Sequence, residues 1–312
     1  MHSPTRKVYV KSILCALVAF PVLAHAGTLY VNCGAHKGLT QIQKAVNLLQ
    51  QSAISGANTI VVSGSCQENI TIQSMDNLTL TAQNRASITD ASGGSLDVID
   101  IFDSHRVSLN GFSINGGANG VVCADASLCR FSGNTVQASS GYGVIVASSH
   151  ATLNGDKMQN NAARGLSIIN GGYVDATGVT VQGSFDGIVL NTRGTVTLSN
   201  STISGNQNRG VLAVTSSTVR LLGTNVTANG GDGVSLQQSS QAKFDSLFAV
   251  NTVTNNGGAG VSVNDLSFAF FAPTSVVTGN AGGTDVVCNP QFSATRGALA
   301  NISGGTTNCV EP

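Results

Sequence analysis

Apolar residues recur along this chain in short alternating runs, separated by glycine, asparagine and serine, and the runs themselves repeat. A glycine followed by an aliphatic residue returns at intervals of 23, 22, 22, 23, 23 and 27 residues. The pairs are Gly120-Val121, Gly143-Val144, Gly165-Leu166, Gly187-Ile188, Gly210-Val211, Gly233-Val234 and Gly260-Val261. A second apolar residue follows two positions after each aliphatic one. This alternation predicts a β-strand with one buried face in every repeat.

Each repeat contains two further strands of the same kind. The second is marked by the pairs Val174/Ala176, Val196/Leu198, Val219/Leu221 and Ala242/Phe244. The third is marked by Val136, Met158, Val181, Ile203, Val226 and Val253. Three strands in about 22 residues are too few for a propeller blade, and turn residues inside every repeat exclude helical repeats. The pattern therefore predicts a parallel β-helix whose coils stack about 4.8 Å apart.

A series of asparagines precedes the repeat glycine, or its equivalent, by a few residues: Asn161, Asn206, Asn229, Asn256 and Asn280. The resulting N-x-x-x-G-(I/V)-x-(L/V) pattern resembles the right-handed parallel β-helix, or pectate-lyase-like, superfamily with its PbH1-type repeats. The resemblance implies a stacked asparagine ladder at a tight turn, because asparagine tolerates the left-handed conformation and its amide can bond the next coil. It covers about residues 59–287 and indicates the fold rather than the activity, since unrelated functions share such scaffolds.

The ends of the chain predict caps for the stack of coils. Thr40-Gln41-Ile42-Gln43 matches a capping box that opens an amphipathic helix with Ile42, Ala45, Val46 and Leu49 on one face. We therefore expect an all-β right-handed parallel β-helix solenoid of about ten 22–23-residue coils with an N-terminal capping helix. The expected divisions are a signal peptide at 1–26, an N-terminal cap at 27–58, the β-helix at 59–287 and a C-terminal tail at 288–312.

The first residues match a secretory signal. A basic stretch from Arg6 to Lys11 precedes an apolar run from Ser12 to Leu23, and Ala24-His25-Ala26 offers a small-x-small cleavage site. The apolar run is short for a membrane span, and no later segment approaches 18 apolar residues. We expect a secreted or periplasmic protein whose mature chain has no transmembrane segment.

Six of the seven cysteines follow this signal, and an even number in an exported chain predicts disulfides. The candidates are Cys33, Cys66, Cys123, Cys129, Cys288 and Cys309. We expect Cys33–Cys66 to close the N-terminal cap and Cys288–Cys309 to tie down the tail. Cys123 and Cys129 both fall at inward positions, where they either pair across a corner or remain two buried thiols.

Charge is scarce, at 10% of residues, and the whole chain is formally neutral. Without the signal, 12 basic residues face 15 acidic ones. This balance excludes the basic surface of a nucleic-acid binder, and the recurring aliphatic residues exclude disorder. We expect a monomer whose surface is mainly serine, threonine, asparagine and glycine, because like charges repeated on successive coils would repel one another.

The position before each repeat glycine is the column that gathers charge. It contains Asn119, Tyr142, Arg164, Asp186, Arg209, Asp232 and Ala259. In polygalacturonases and related β-helix glycosidases an aspartate before a Gly-aliphatic strand lies in the catalytic cleft. The resemblance thus implies Asp186, Arg209 and Asp232 as catalytic candidates, with Tyr142, Arg164 and Asn119 as substrate-binding ones.

The spacing of the coils supports catalysis in this column, whereas the intervening arginine opposes it. Two coils would place Asp186 and Asp232 about 9.6 Å apart, at the upper edge of the range for inverting glycosidases. Arg209 lies between them, however, and a guanidinium there would keep both carboxylates ionised where an inverting enzyme needs one protonated. The paired aspartates, Gly-His-Gly and Arg-x-Lys of the glycosidases are missing. The alternative is an Arg/Asp ladder that stabilises the stack.

Two other groups of polar residues are candidates. An acidic cluster near the N-terminal end contains Asp90, Asp97, Asp100, Asp103, His105 and Arg106. The resemblance to pectate lyases implies Ca²⁺ as one interpretation, while a solvated coil edge is the other, and we expect no cofactor otherwise. A third column contains Arg130, Thr152, Asp175, Thr197, Arg220 and Lys243, which we expect to form a solvated face. His36, His105 and His150 are too far apart in the stack for a histidine triad or a zinc site.

Two functions are consistent with these observations. The first is a non-catalytic envelope or extracellular module that contacts polysaccharide through a long polar face. The alternative is a carbohydrate-active enzyme, a polysaccharide lyase or an inverting glycoside hydrolase, that uses Asp186, Arg209 and Asp232. The scarcity of lysine and arginine favours the first, because an enzyme acting on acidic glycans would gather cations in its cleft.

Overall fold

The structure is a computed structural model that describes residues 27–51, 56–245, 249–288, 302–303 and 305–309. The predicted signal peptide at 1–26 and much of the predicted tail lie outside the described residues. The described chain is almost entirely β-structure, with one helix, α1 (Ile42–Gln51), near its start.

Three parallel sheets, here named A, B and C, contain the strands, and from β2 to β31 the chain visits them in the order A, B, C in every coil. Sheet A consists of β1 (Thr28–Asn32), β2 (Asn58–Ser63), β5 (Leu78–Ala82), β8 (Val107–Asn110), β11 (Leu128–Ser132), β14 (His150–Asn154), β17 (Tyr173–Thr177), β20 (Thr195–Ser199), β23 (Thr218–Leu222), β26 (Gln241–Asp245) and β29 (Phe268–Phe271). Sheet B consists of β3 (Ser65–Gln67), β6 (Ser87–Thr89), β9 (Ser113–Asn115), β12 (Thr135–Gln137), β15 (Lys157–Gln159), β18 (Thr180–Gln182), β21 (Thr202–Ser204), β24 (Asn225–Thr227), β27 (Thr252–Thr254), β30 (Ser275–Thr278) and β32 (Ile302–Ser303). Sheet C consists of β4 (Ile70–Gln73), β7 (Ile99–Phe102), β10 (Val121–Ala124), β13 (Tyr142–Ala147), β16 (Arg164–Ile169), β19 (Asp186–Leu190), β22 (Val211–Ala213), β25 (Val234–Leu236), β28 (Val261–Val263) and β31 (Val286–Cys288).

The sequence repeat and the strand register coincide. Ile188 pairs with Leu166 in the coil before it and with Val211 in the coil after it, so the aliphatic residues of the repeat form one inward column. Inward side chains of all three sheets make a single continuous core. The repeat glycine is required by close approach between coils, because a Cβ on Gly210 would lie 2.6 Å from Val226 Cγ1 and 2.7 Å from Gly233 O. The predicted fold class is confirmed.

The helix α1 covers the first coils as predicted, with Ile42, Ala45, Val46 and Leu49 buried. The predicted capping box is wrong in its partners. The amides of Ile42 and Gln43 donate to the Glu68 carboxylate at 2.8 and 3.0 Å. The Gln43 side chain, which the capping box would turn back towards Thr40, instead accepts from Thr71 N at 2.7 Å and donates to Thr71 O at 3.1 Å.

Gln43 bonds Thr71 because β4 is the first strand of sheet C, and among the described residues no strand pairs with its outer edge. Unpaired backbone groups at a sheet edge need partners. Gln43 supplies them at Thr71, and Gln50 Nε2 donates to Gln73 O at 2.8 Å. The helix therefore closes this end of the stack with polar side chains as well as with its apolar face.

The predicted asparagine ladder is present from Asn206 to Asn280, whereas Asn161 is separated from it by Ser184, whose hydroxyl accepts from Asn161 N at 3.3 Å. Asn229 Oδ1 accepts from Asn206 N at 3.1 Å and from Asn206 Nδ2 at 2.9 Å, and the same two bonds join Asn229 to Asn256 and Asn256 to Asn280. The expectation that these asparagines adopt the left-handed conformation is wrong. The preceding residue does so, for example Ala228 with φ 56°. The asparagines stabilise the stack because their side-chain amides bond the neighbouring coil.

Three disulfides tie the described chain together. Cys33–Cys66 joins the first coil to β3, and Cys288–Cys309 anchors the described end of the tail, as predicted. Of the two alternatives left open for Cys123 and Cys129, the structure has the pair, which links β10 of sheet C to β11 of sheet A across a corner.

Candidate functional site

The charged column predicted before the repeat glycines does stack along the border of sheet C. Tyr142, Arg164 and Asp186 are register neighbours on successive coils, and Arg209 and Asp232 continue the column. The structure therefore brings the catalytic candidates and all three substrate-binding candidates, Asn119 included, into one line. Their functional groups, however, point to different partners.

The carboxylates of this column bind the main chain of the coil above. Asp186 is 7% exposed, and its Oδ1 accepts from Asn208 Nδ2 at 2.9 Å and from Arg209 N at 3.1 Å. Asp232 Oδ1 accepts from Ala259 N at 2.9 Å. The amide oxygen of Asn119 does the same for Tyr142 N at 3.0 Å. A carboxylate oxygen and an amide oxygen therefore play the same part in this column, because each accepts a hydrogen bond from a backbone amide of the next coil. Such bonds stabilise the stack.

The arginines of the column do not complete an ion-pair ladder. In the described ranges, neither Arg164 nor Arg209 forms an ion pair with a carboxylate. The Arg164 guanidinium lies 4.9 Å from the centre of the Tyr142 ring, and Nη1 donates to Ser167 Oγ at 3.2 Å. The predicted alternation of paired arginine and aspartate is therefore wrong, because the aspartates are already engaged by backbone amides.

The outer face of sheet C has little solvent-exposed surface beside this column. Ser167, Val189 and Ser235 point outward, since their strand neighbours form the inward columns, yet each is 2% exposed or less. Flanking side chains bridge over part of this face, as Arg164 does above Ser167. A polymer could not contact these outward residues without displacing the flanking side chains that cover them.

The acidic cluster near the N-terminal end is divided among separate partners. Asp90 accepts from Asn69, Ser92 and Gly94, and although burial raises the pKa of Asp90, these hydrogen bonds outweigh it and leave that pKa well below its usual range. Asp97 Oδ1 accepts from Asn119 N and Nδ2 at 3.0 and 2.8 Å. Burial, together with the nearby charges of Asp97 and Asp125, raises the pKa of Asp100.

The other members of the cluster also have their own partners. Asp103 Oδ2 accepts from Ser74 Oγ at 2.8 Å, and Arg106 pairs with Asp76. Within the described residues, the only histidine, cysteine or carboxylate group close enough to share an ion is Cys33, Cys66 and Glu68. Its two cysteines are joined in a disulfide, and its carboxylate caps α1.

The third predicted column faces outward from sheet A. Arg130, Thr152 and Asp175 occupy successive coils there, followed by Thr197, Arg220 and Lys243. The adjacent column, two residues earlier in each strand, contains Leu128, His150 and Tyr173 on the same three coils. The two columns together place an imidazole, a phenol, a carboxylate and a guanidinium side by side.

His150, Tyr173 and Asp175, here called the His150 cluster, are in mutual contact. The rings of His150 and Tyr173 meet edge to face with centroids 4.8 Å apart. The Tyr173 hydroxyl donates to Asp175 Oδ1 at 3.0 Å, and His150 Nε2 lies 3.8 Å from Asp175 Oδ2. Burial first, and then the hydrogen bond to the charged Asp175, raise the pKa of Tyr173. Tyr173 is therefore held as a neutral phenol with 37% of its surface exposed.

A cleft of about 90 Å³ opens beside this cluster. Its lining residues are Arg106, Leu128, Cys129, Arg130, His150 and Thr152. Further along the same face the cations are neutralised, since Arg220 Nε and Lys243 Nζ lie 2.7 and 3.1 Å from the Asp245 carboxylate. Burial raises the pKa of Asp245, and the hydrogen bonds from both cations outweigh it and lower that pKa.

Sequence reasoning missed the His150 cluster because it compared histidines only with other histidines. The signal was present in the repeat. Tyr173 follows His150 by 23 residues, which is one coil, and Asp175 follows Tyr173 by two, which keeps it on the same face of the strand. A register table of outward columns, read across strands as well as along the stack, would have found the cluster.

Comparison with known proteins agrees with this fold. The family described as "Right handed beta helix region" matches residues 119–276, which is about half of the chain. The chain belongs to this family. The expected resemblance to the pectate-lyase-like superfamily is confirmed, and with it the right-handed sense of the coils.

Solved structures similar to this β-helix protein include several with polysaccharide substrates in their names. Pectate lyase Pel9A superposes with a TM-score of 0.62 at 13% identity over 90% of this chain and 79% of that one. The A-module of mannuronan C-5 epimerase AlgE4 from Azotobacter vinelandii gives 0.55 at 11% identity over 90% and 100%. The enzymatically active domain of bacteriophage CBA120 tailspike protein 2 gives 0.56 at 13% identity over 89% and 45%. At these identities the likeness shows the fold alone. No curated protein sequence matches the chain.

Proposed function

We propose that this protein is an exported β-helix module that contacts polysaccharide without cutting it. The observation that carries the proposal is the contrast between its two polar faces. On sheet C the candidate catalytic carboxylates are bonded to backbone amides, whereas on sheet A an imidazole and a guanidinium line an open cleft and an exposed phenol lies against the imidazole. An amphipathic ring among hydroxyl and amide groups suits a sugar, which has apolar faces and a polar edge.

Several properties support the remainder of the proposal. Three disulfides are consistent with an oxidising compartment such as the periplasm or the extracellular space. Among the described residues no helix is long and apolar enough to cross a membrane. The outward side chains of β20 on this face, Thr195, Thr197 and Ser199, are all hydroxyl residues, so a polymer meets no charge on that strand. Structural neighbours named as a pectate lyase, an epimerase and a tailspike make polysaccharide the ligand class to test first.

The alternative, a polysaccharide lyase or an inverting glycoside hydrolase, uses Asp186 with Arg209 and Asp232. It requires at least one of the carboxylates to exchange its backbone partner for substrate. Asp186→Asn is a suitable test, because the asparagine oxygen can still accept from Asn208 and Arg209 N while the acid–base function is removed.

The mature protein should be incubated with a panel of pectins, alginates and neutral glycans, measuring binding by calorimetry and cleavage by reducing ends and unsaturated uronates. We expect at least one glycan to bind without being cut, with the same affinity for Asp186→Asn. Cleavage that Asp186→Asn abolishes would establish the enzyme instead.

A further inference from the structure

The outer face of sheet A carries aromatic rings at two heights of the stack. Tyr173 on β17 is 37% exposed, and on β29 Phe270 is 36% exposed while the outward Phe268 is half-buried. The strands β20, β23 and β26 lie between β17 and β29 in the sheet, so the rings are four coils apart. Four coils correspond to about 19 Å along the axis of the solenoid. Only an extended ligand can reach both aromatic positions.

The outward column between these rings is polar and uncharged. On successive coils Tyr173 is followed by Thr195, Thr218, Gln241 and Phe268. Gln241 Nε2 donates to Thr218 Oγ1 at 2.9 Å. Each of the three intervening coils thus presents one hydroxyl or amide side chain at the same outward position. Such groups donate and accept hydrogen bonds, as the hydroxyls of a sugar also do.

The charged side chains on β17 to β29 of sheet A balance one another. Asp175 accepts from the Tyr173 hydroxyl at 3.0 Å. Arg220 Nε and Lys243 Nζ lie 2.7 and 3.1 Å from the two oxygens of the Asp245 carboxylate. These five strands contain no other charged residue, so two carboxylates equal two cations in number. This part of the face suits an uncharged ligand, because an acidic one meets no unpaired cation on the strands.

The dimensions of the face favour a ligand that runs along the stack. Coils repeat about every 4.8 Å, and an extended 1,4-linked polysaccharide advances by a similar distance with each sugar. A chain laid along the axis therefore meets one hydroxyl or amide residue for each sugar between the rings. A chain laid across the coils meets only the three outward residues of a five-residue strand such as β20. It also reaches only one of the two aromatic positions.

We propose that sheet A binds a neutral, linear, 1,4-linked polysaccharide along the axis of the solenoid, with one sugar to each coil. The inference rests on the proposed function and adds to it the charge, the shape and the direction of the ligand. The apolar face of one sugar packs on Tyr173, and that of a sugar four coils further on packs on Phe270. Tyr173 is preorganised for this contact, because its ring contacts His150 and its hydroxyl is bonded to Asp175.

Calorimetric titrations with oligosaccharides of increasing length test this inference. The ligands are cello-oligosaccharides and manno-oligosaccharides from the disaccharide to the heptasaccharide, with oligogalacturonates of the same lengths as acidic comparators. We expect the affinity of a neutral series to rise with length and to level off near the pentasaccharide, which spans roughly four coil steps and reaches both rings. The neutral ligands should bind more tightly than the oligogalacturonates of equal length.

Substitutions at the two rings test the same geometry. Tyr173→Leu and Phe270→Leu should each weaken binding of the pentasaccharide about tenfold. The disaccharide should lose about twofold at most, because it can use the ring that remains. Tyr173→Phe keeps the ring and should bind like the wild type. Phe185→Leu removes an exposed ring at the border of sheets B and C and should also bind like the wild type.

The outcomes separate this inference from the proposed function. Affinity that levels off at the disaccharide, or that does not change in Phe270→Leu, would overturn the axial direction and leave polysaccharide contact standing. Tighter binding of the oligogalacturonates would overturn the neutral class. A loss in Phe185→Leu equal to that in Phe270→Leu would overturn the assignment to sheet A. Binding of another glycan in the panel but of neither neutral series would overturn this inference alone, and no binding of any glycan would overturn both.

Discussion

At the scale of single residues, the role of an aspartate depends on the group that its carboxylate contacts. Asp186 and Asp232 have the local sequence of a catalytic aspartate, yet both accept hydrogen bonds from the next coil. Asp175, in a column that the sequence favours as a solvated face, holds a phenol and lies near an imidazole. The sequence predicts which column each residue joins, because register follows the repeat. It does not predict the partner, because a carboxylate can turn towards solvent or towards the next coil with no change of register.

Asp156 shows the energetic consequence of this choice. It takes an asparagine-like place in a second ladder, where it is 2% exposed and accepts from Asn134 N, Asn134 Nδ2 and Asn154 N at 2.8, 2.8 and 2.9 Å. Burial raises the pKa of Asp156 to about 6, against these three hydrogen bonds, which lower it. A folded-state pKa above the unfolded value of about 3.8 means that the folded state binds more protons between these two pH values.

Stability attributable to Asp156 should therefore fall as pH rises from about 4 to about 6 and stay low above it. Asp156→Asn removes this titration and retains an oxygen for the two Asn134 donors. The variant should gain stability relative to the wild type with rising pH, by a total of about 3 kcal/mol at about 1.4 kcal/mol per pKa unit. Denaturant unfolding of both proteins at about pH 4 and about pH 8 measures the difference, in which all other titrations cancel. A difference that does not change with pH would contradict the assignment.

At the scale of elements, the strands and turns are what the sequence predicts best. Three features recur in most coils: the inward aliphatic residues, the close-packed glycine such as Gly210, and the ladder asparagine. Each recurrence is independent evidence for the same strands and turns. The helix α1 is predicted by its own apolar face, whereas its N-terminal partner comes from a later coil. Glu68 follows Ile42 by 26 residues and belongs to another element. A local motif such as a capping box cannot anticipate a competing carboxylate that the fold brings in from a distance.

Glu68→Ala should therefore loosen α1 more than the rest of the chain. The substitution leaves the buried amide of Ile42 unpaired and removes a negative charge from the helix N-terminus, at a cost of about 1–3 kcal/mol. Coils of a solenoid contact only their neighbours, so the effect should stay at this end. Hydrogen exchange should show faster exchange over residues 42–51 and unchanged exchange in β19. The exposed neighbour Gln67→Ala serves as control, and equal protection of α1 in all three proteins would refute the capping role.

At the scale of the whole molecule, the stacking of coils explains why the chain has so few charged residues. A stack of coils places like positions about 4.8 Å apart, so each outward column is largely uncharged or engages its charges in specific bonds. Disulfides close both described ends and one corner, and α1 covers the first coils. The fold class is therefore predicted by the periodic part of the sequence, whereas the face that we propose for polysaccharide contact contains two residues that do not follow the repeat, His150 and Tyr173.

The most direct test of the proposed function is a crystal structure of the mature protein with an oligosaccharide of whichever glycan in the panel binds most tightly. We predict an intact oligosaccharide on the outer face of sheet A, with a sugar ring against Tyr173. An oligosaccharide seated on sheet C against Asp186 and Arg209, or a cleaved product there, would contradict it.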